Sequence, residues 1–202
     1  MKLPKSAHFS RRWRIHGLTN DFRLEDVWEL PTPGGPHDFP RLVQMVASFE
    51  EARPRWSLVG MLFAVRVALG HAFGWDEAAD DPARPSLRDR LPADLRNSPS
   101  TIKPAMGFTP LYQIDDEWAA ELINQTVHGV IHLGWVGDET GGYRGQMATG
   151  GYRGQMAILV KPNGLLGRAY MAAIMPFRYL IVYPRMLKGI GRKWLSYSGD
   201  RS

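Results

Sequence analysis

The sequence has 202 residues and no cysteine. The absence of cysteine excludes thiolate nucleophiles, disulfide scaffolds and Cys-ligated zinc or iron–sulfur sites. The first 14 residues also lack the apolar run of a signal peptide. Both absences fit a cytoplasmic protein, and the cytoplasm is therefore the expected location.

Acidic residues are scarce at both ends of the chain. Residues 1–20 hold five basic residues and no acid, and residues 161–202 hold eight basic residues and one acid, Asp200. Because the whole chain carries +5, the middle carries −7. Two basic ends could contact nucleic acid or an anionic membrane. Their basic residues are spaced out rather than clustered, which favours packing against the acidic middle, and no nucleic-acid partner is expected.

Uninterrupted apolar runs of membrane length are also missing. The most apolar stretch, residues 164–184, contains Arg168, Pro176 and Arg178. Each arginine would be costly in hydrocarbon, so we expect no transmembrane segment there but a long, mostly buried helix. The length and the near-average composition predict one domain over residues 1–202.

The first third of the chain predicts one strand and two helices. A strand is expected over residues 21–30, followed by a Pro- and Gly-rich loop over 31–36. Asp38 can cap the next helix, whose first turn accepts Pro40. A second helix is expected from about residue 55 to 71, because apolar residues recur there at helical spacing.

Residues 76–104 have few apolar residues and many prolines and charges. We interpret this segment as a surface excursion, with one short helix, rather than as a linker between domains. Leu87, Leu91 and Leu95 are the side chains expected to anchor it to the core.

The second half predicts strands and then a long helix. The strands are expected at 108–112, 117–124, 130–136 and in a segment ending at 160. A turn, with Gly164 in the φ > 0 position, leads into one helix that ends near Trp194 and is kinked at Pro176 and Pro184. This order is typical of an α+β domain in which an antiparallel sheet curves around a helix.

A tandem duplication interrupts this pattern. Residues 141–149 read GGYRGQMAT and residues 150–158 read GGYRGQMAI. Because side chains alternate in a strand, a nine-residue repeat would place Tyr143 and Tyr152 on opposite faces. We therefore expect one copy to leave the sheet. The second copy should pair opposite residues 130–136, because it adjoins Leu159 and Val160, and the first should form a protruding hairpin tip. No Lys-Ser/Thr ending follows the glycines, so phosphate binding is not expected.

Two groups of ionisable residues are candidates for metal binding or acid–base catalysis. His128 and His132 lie in a segment that reads as a strand, with no carboxylate at metal-ligand spacing, so structural histidines are favoured over a metal site. The carboxylates Asp115, Asp116, Glu117 and Glu121 stand before and within a strand. We interpret them as a solvated turn rather than as a catalytic pair.

Two arginines stand within the apolar terminal helix, at positions 168 and 178. Each must find a carboxylate or carbonyl partner or reach solvent, and each could also bind an anionic ligand. Structural pairing is favoured, with ligand binding left open.

Several blocks of sequence together resemble a known family. They are TVHGVIHLGW (126–135), GGYRGQMA followed by ILVKPNGLLGRAYM, and MPFRYLIVYP, with DFRLEDVWELPTPGGPHDFPRL and LFAVRVALGHAFGWD nearer the N-terminus. They are similar to the domain-of-unknown-function family 2867 (DUF2867), which resembles the START-like (SRPBCC) superfamily. The resemblance implies a helix-grip fold, in which an antiparallel sheet wraps a long C-terminal helix around a cavity for an apolar ligand. It implies no reaction and no catalytic residues. The family pattern holds one GGYRGQMA, so the second copy is a departure.

The expected function is binding of a small hydrophobic molecule or lipid between the sheet and the terminal helix, without a cofactor or a metal. The candidate cavity residues, with Arg178 or His132 as the polar anchor, are Tyr112, His132, Trp135, Met156, Tyr170, Met171, Ile174 and Arg178.

Two alternatives remain open at this stage, and so does a homodimer. One is a cyclase- or hydratase-like enzyme that uses cavity groups such as Tyr112, Glu121, His132 and Arg178. The other is a peripheral membrane protein, which would expose Trp194, Leu195 and Tyr197 beside its basic C-terminal residues.

Overall fold

A single antiparallel sheet organises the computed structural model of this protein. The structure describes residues 1–47, 85–100, 102, 107–124, 126–137 and 151–198. The strands within these residues are β1 (Lys2–Leu3), β2 (Arg23–Glu29), β3 (Thr109–Gln113), β4 (Glu117–Ile123), β5 (Val127–Gly137) and β6 (Tyr152–Pro162). They lie in the order β1-β2-β6-β5-β4-β3, and every neighbouring pair is antiparallel.

Helices flank this sheet on both sides. They are α1 (Ser6–Phe9), α2 (Ile15–Leu18), α3 (Phe39–Ala47), a 3₁₀ turn (Leu87–Arg90), α4 (Ala93–Arg96), α5 (Gly164–Phe177), a π-helical segment (Arg178–Val182) and α6 (Tyr183–Ser198). The described part is thus a mixed α+β arrangement, as predicted. The helix predicted from about residue 55 to 71 lies outside the described residues.

The strand order joins the first long strand to the last. Strands β3 to β6 follow one another as neighbours, and β2 pairs with β6 on its free side. The β5–β6 pair runs from Val127 opposite Pro162 to Gly137 opposite Tyr152. The second copy of the duplicated nonapeptide therefore pairs in the sheet, as predicted. The first copy, residues 141–149, lies outside the described residues.

Side-chain alternation divides the core into two layers, one on each face of the sheet. On the first face, here the N-terminal face, Trp13, Ile15 and Leu18 pack against the strands. Leu87, Leu91 and Leu95 are buried in the same layer, which confirms that they anchor the 76–104 segment.

The second face, here the helix face, packs against α3 and α6. The largest side chains that these two helices bury there are Phe39, Leu42, Tyr183, Ile190 and Trp194. Burying a side chain of this size is worth roughly 1.5–3 kcal/mol, so these contacts are sufficient to fix the terminal helix on the sheet.

The C-terminal helical run is continuous but not uniform. The sequence predicts one helix with kinks at Pro176 and Pro184, whereas the structure has a π-helical segment of five residues between those two prolines. Proline removes a backbone donor from the helical ladder, and a wider turn is one way to accommodate the lost hydrogen bond.

The entry to this run depends on two glycines. Gly164 has φ +64°, as the turn sequence predicted. A Cβ on Gly167 would lie 2.1 Å from the carbonyl oxygen of Thr126, so no other residue fits there without a shift. The start of α5 is thereby held directly against the β4–β5 turn.

Candidate functional site

Glu117 is the centre of a buried polar chain on the N-terminal face. It begins β4 and is 1% exposed. Its carboxylate accepts hydrogen bonds from the backbone N–H groups of Arg14, at 2.8 Å, and Ile15, at 2.9 Å, and from the hydroxyl of Tyr112. Several donors are needed to hold a carboxylate ionised away from water, and here the sheet and the N-terminal segment supply them together.

Three histidines extend the chain from Glu117 toward the surface. His132 Nε2 lies 3.0 Å from a Glu117 oxygen, His8 Nε2 lies 3.1 Å from His132 Nδ1, and His16 Nε2 lies 2.9 Å from His8 Nδ1. If all three rings are neutral, donation toward Glu117 requires the proton on Nε2 of every ring, with Nδ1 as the acceptor. His8 and His132 are fully buried, whereas His16 is half-buried.

Burial sets the protonation states along this chain. Burial, together with the smaller effects of His132 and His16, lowers the pKa of His8 to about 3. Burial alone would raise the pKa of Glu117, but the hydrogen bonds and charge of His132 and the Tyr112 hydroxyl lower it to about 2. Near neutral pH the chain therefore has an ionised Glu117 and a neutral His8.

A second buried glutamate has the same kind of role. Glu121 is 3% exposed and accepts hydrogen bonds from the N–H of Leu87 at 2.9 Å and from the Ser86 hydroxyl. His128 Nε2 lies 2.8 Å from it. Burial would raise the pKa of this carboxyl, but His128 and Ser86 lower it.

The interpretation of these carboxylates as a solvated turn was therefore half wrong. Asp115 and Asp116 are exposed, as expected, but Glu117 and Glu121 are buried. The reason lies in the tertiary structure, because both glutamates point to the face that holds the N–H groups of residues 14, 15 and 87 and the Ser86 hydroxyl.

Asp26 is the corresponding carboxylate of the helix face. It is 1% exposed on β2 and accepts hydrogen bonds from Arg178 at 2.8 Å, from the hydroxyl of Tyr183 at 2.7 Å and from the hydroxyl of Tyr179. Arg178, within the π-helical segment, thus has a structural carboxylate partner. Lys2 lies 3.8 Å from the same carboxylate.

A cleft of about 1060 Å³ lies where α3 begins, near the adjoining ends of β5 and β6. Its lining residues are Pro36, His37, Pro40, Asn97, Ser98, Pro99, Gln113, Ile114, Asp115, Asp116, Trp135 and Tyr152. A cleft of this size is at the upper end of the range that small-molecule sites occupy.

Aromatic rings form one wall of the cleft. Trp135 is 3% exposed, and its indole N–H donates to the carbonyl of Gly35 at 3.0 Å. Its ring stacks on Tyr152, with centroids 6.3 Å apart and planes 15° apart, and contacts Trp194 of α6 at 6.0 Å. The cleft is thereby joined to the core layer under the terminal helix.

Polar side chains line the cleft beside its prolines and Ile114. Asp115 and Asp116 are its acidic side chains, and the lining includes no lysine or arginine. Burial raises the pKa of Asp116, and the charge of Glu117 raises it further. His37, Asn97 and Gln113 add hydrogen-bonding groups, so the cleft offers an apolar wall and an acidic, polar rim.

The structure distributes the predicted cavity residues over several places. Trp135 lines the cleft, Tyr112 and His132 belong to the Glu117 chain on the opposite face, and Arg178 pairs with Asp26. The others are Met156, buried in the helix-face core, Met171 and Ile174, half-buried on α5, and Tyr170, whose side chain lies outside the described residues.

Sequence reasoning missed His8, His16 and Asp26, and it gave no role to Tyr152. Local pattern carries no signal for the first two, because His8 meets His132 across 124 residues of chain and His16 joins the chain through His8. The sequence did contain a signal that Glu117 and Glu121 share one face of β4. In a strand, side chains alternate, so both glutamates lie on the face of Ala119 and opposite to Trp118 and Ala120.

The fold and the cleft define a mixed α+β domain with a six-stranded antiparallel sheet and a C-terminal helix. The family model described as protein of unknown function, DUF2867, matches residues 18–185, and the chain belongs to that family. No curated protein and no solved structure matches the chain significantly. Among the described residues, no helix has the length and apolar character needed to cross a membrane.

Proposed function

We propose that this protein binds a small, largely apolar molecule with a polar end in the cleft beside α3. The observation that carries the proposal is the cleft of about 1060 Å³ whose wall is the stacked pair Trp135 and Tyr152. Ligand sites are typically concave, with apolar or aromatic walls and a few polar groups that orient the ligand.

The proposal includes the helix-grip relationship that the sequence resemblance implies. Two features support it: β2 pairs with the last strand, β6, while β3 to β6 form a meander, and the terminal helix packs on one face of this sheet. In a helix-grip fold the ligand lies between the sheet and that helix. The contact of Trp135 with Trp194 supports a position of the cleft at one end of this space.

The acidic residues at the rim of the cleft limit which end group a ligand can carry. Asp115 and Asp116 stand on it without a lining lysine or arginine, so an anionic end group would be repelled. A neutral or cationic end that donates hydrogen bonds would be accepted by these carboxylates. The expected ligand therefore joins an apolar or aromatic body to a donor-rich end.

The state of the polar side chains supports binding rather than catalysis. Glu117, Glu121 and Asp26 are each occupied by several internal hydrogen bonds. Tyr112 and His132 are fully buried, so neither reaches the cleft as it stands. The cleft itself contributes carboxylates, amides and the His37 imidazole, which can orient a molecule.

Titration with the neutral fluorescent probe N-phenyl-1-naphthylamine tests the proposal. Asn97 lines the cleft and Ala93 does not, although both are exposed on or beside α4. We expect Asn97→Trp to fill the cleft and weaken probe binding at least about tenfold, with Ala93→Trp as the matched control that leaves it unchanged. Equal affinities in both variants, or no probe binding by the unmodified protein, would contradict the proposal. Native mass spectrometry of the purified protein would then look for a retained small molecule.

A further inference from the structure

The outward side of the C-terminal helical run exposes large apolar side chains. Leu165 is 80% exposed, Met175 45%, Leu180 77% and Leu195 66%. Single exposed leucines are common on protein surfaces, but these four all belong to one helical run of 35 residues.

Their spacing places them in two stripes. On α5 the positions 165, 168, 172 and 175 are all exposed, and on α6 the positions 185, 188, 192 and 195 are all exposed. Steps of three, four and three residues return to the same side of a helix with 3.6 residues per turn. Each stripe therefore forms one continuous face.

Both stripes face away from the sheet. Along α5 and the π-helical segment the positions 167, 171, 174 and 178 are buried or half-buried, and along α6 the fully buried positions are 183, 190 and 194. These inward positions include Gly167 against the β4–β5 turn, Arg178 on Asp26 and Trp194 in the core. The exposed stripes lie on the opposite side of the helices.

The same side carries unpaired positive charge. Residues 164–198 contain six basic residues and no acidic one. Four of the six are exposed and form no ion pair within the part of the chain that the structure describes: Arg168, Arg185, Lys188 and Arg192. By contrast, Arg178 is neutralised by Asp26.

We propose that this outward helical surface, formed by the two stripes and Leu180, binds the anionic surface of a lipid bilayer. Helices that lie in a membrane interface combine exposed leucines with lysine and arginine. Anionic headgroups would neutralise the four free cations, and the leucines would enter the boundary between headgroups and acyl chains. A nucleic acid would use the cations but would give the leucines nothing apolar to contact.

This surface differs from the one that the sequence suggested. A membrane-binding C-terminus was expected to expose Trp194, but Trp194 is 1% exposed and donates its indole N–H to the Pro33 carbonyl at 2.8 Å. Arg41 also lies over its ring at 4.3 Å. Of the predicted contacts, Leu195 and the basic Arg192 are exposed, and the side chain of Tyr197 lies outside the described residues.

Vesicle sedimentation tests the proposal with the full chain. The vesicles contain phosphatidylcholine alone or with about one third phosphatidylglycerol, at about 0.1 M salt. We expect binding to the anionic vesicles, at least about tenfold weaker binding to the neutral ones, and a loss of binding as the salt concentration rises.

Removing two charges with Lys188→Gln and Arg192→Gln should weaken binding on the order of tenfold or more, at roughly fivefold per cation. The double variant Leu165→Gln and Leu180→Gln should weaken it by at least a similar factor.

Matched controls come from the N-terminal segment. Lys5 and Arg12 are exposed, so Lys5→Gln with Arg12→Gln removes two charges elsewhere. Phe9, 60% exposed, provides Phe9→Gln as the apolar control. Both controls should bind within about twofold of the unmodified protein. An equal loss in the controls, no binding to anionic vesicles, or binding that ignores the leucines and is competed away by duplex DNA would overturn the proposal. Circular dichroism of every variant separates these outcomes from unfolding.

Discussion

The two faces of the sheet use buried charge differently. On the N-terminal face, Glu117 and Glu121 bind backbone donors of segments that are distant in sequence, and so they attach those segments to the sheet. On the helix face, Asp26 binds only side chains, all within or beside the π-helical segment except Lys2. On the N-terminal face these hydrogen bonds hold the covering segments against the sheet, whereas the helix face borders the cleft at Trp135 and Tyr152. A carboxylate that holds backbone should be harder to replace than one that holds side chains.

The largest expected effect is the loss of Glu117. Glu117→Ala would leave the N–H groups of Arg14 and Ile15 and the hydroxyl of Tyr112 without their acceptor inside the core. We expect the free energy of unfolding, measured by urea denaturation, to fall by about 3–5 kcal/mol. Asp115→Ala, two residues away and exposed, is the control and should change it by less than about 0.5 kcal/mol. A loss below about 1 kcal/mol for Glu117→Ala would contradict the anchoring role.

Replacing Asp26 should lower the free energy of unfolding less than replacing Glu117. Asp26→Asn keeps the shape but removes the charge that faces Arg178, which is 15% exposed and can turn toward water. We expect a loss of about 2–3 kcal/mol in urea denaturation, smaller than that of Glu117→Ala. Asp21→Asn, which breaks exposed pairs with Arg90 and Lys161, should cost no more than about 1 kcal/mol. If Asp26→Asn proved more destabilising than Glu117→Ala, the contrast between the two faces would be reversed.

The pH dependence of the free energy of unfolding should reflect the protonation of His8 and Glu117 on the N-terminal face. His8 has a folded-state pKa of about 3, below its unfolded value of about 6.5. Its contribution to stability is therefore complete above pH of about 6.5 and is lost as the pH falls toward about 3, at up to about 1.4 kcal/mol per pH unit. Glu117, with a pKa of about 2, adds a second loss once the pH falls below its unfolded value of about 4.5.

Denaturation at several pH values measures this dependence. His8→Asn should flatten the decline between pH of about 6.5 and 4.5, where Glu117 does not yet contribute. His37→Asn, at an exposed position on the cleft rim, should leave the decline as it is. Equal slopes in the unmodified protein and in His8→Asn would mean that His8 is not kept neutral by its burial.

The smallest effect is expected from the duplication. Strand β6 begins at Tyr152 and pairs with β5 along its whole length, so its paired residues come from the second copy and the four residues that follow it. Deleting residues 141–149 should change the free energy of unfolding by about 1 kcal/mol or less, because loop-closure entropy grows only slowly with length. Loss of folding on deletion would show that the first copy has become part of the core.

Much of the fold was predictable from local pattern. Strands β2, β4, β5 and β6 were expected because apolar and β-branched residues alternate between turn sequences, and the turn before α5 was expected from Asn163 and Gly164. The three leucines of the 76–104 segment were expected to be buried because little else there is apolar. The π-helical segment was not expected, since a kink at proline and a wider turn have the same sequence signature.

The candidate site was far less predictable. Of the expected cavity residues whose side chains the structure describes, only Trp135 lines the cleft, because the cleft is bounded by segments around residues 36, 98 and 115 that no periodicity relates to one another. Tyr152 stacks on Trp135 through the antiparallel register of β5 and β6, in which Gly137 rather than Trp135 is its direct partner.

The sequence by itself determined the strands, the terminal helix, the anchoring leucines and the position of the second nonapeptide, because each depends on the spacing of residues that are near in the chain. Only the tertiary structure decided which ionisable groups are buried and which partners they contact. Glu117 is buried because the sheet brings it to the N–H groups of Arg14 and Ile15, and His132 belongs to a buried polar chain because His8 lies 124 residues away in sequence but 3.1 Å away in space. The free energy of a charge depends on its surroundings in three dimensions, and a local pattern does not contain them.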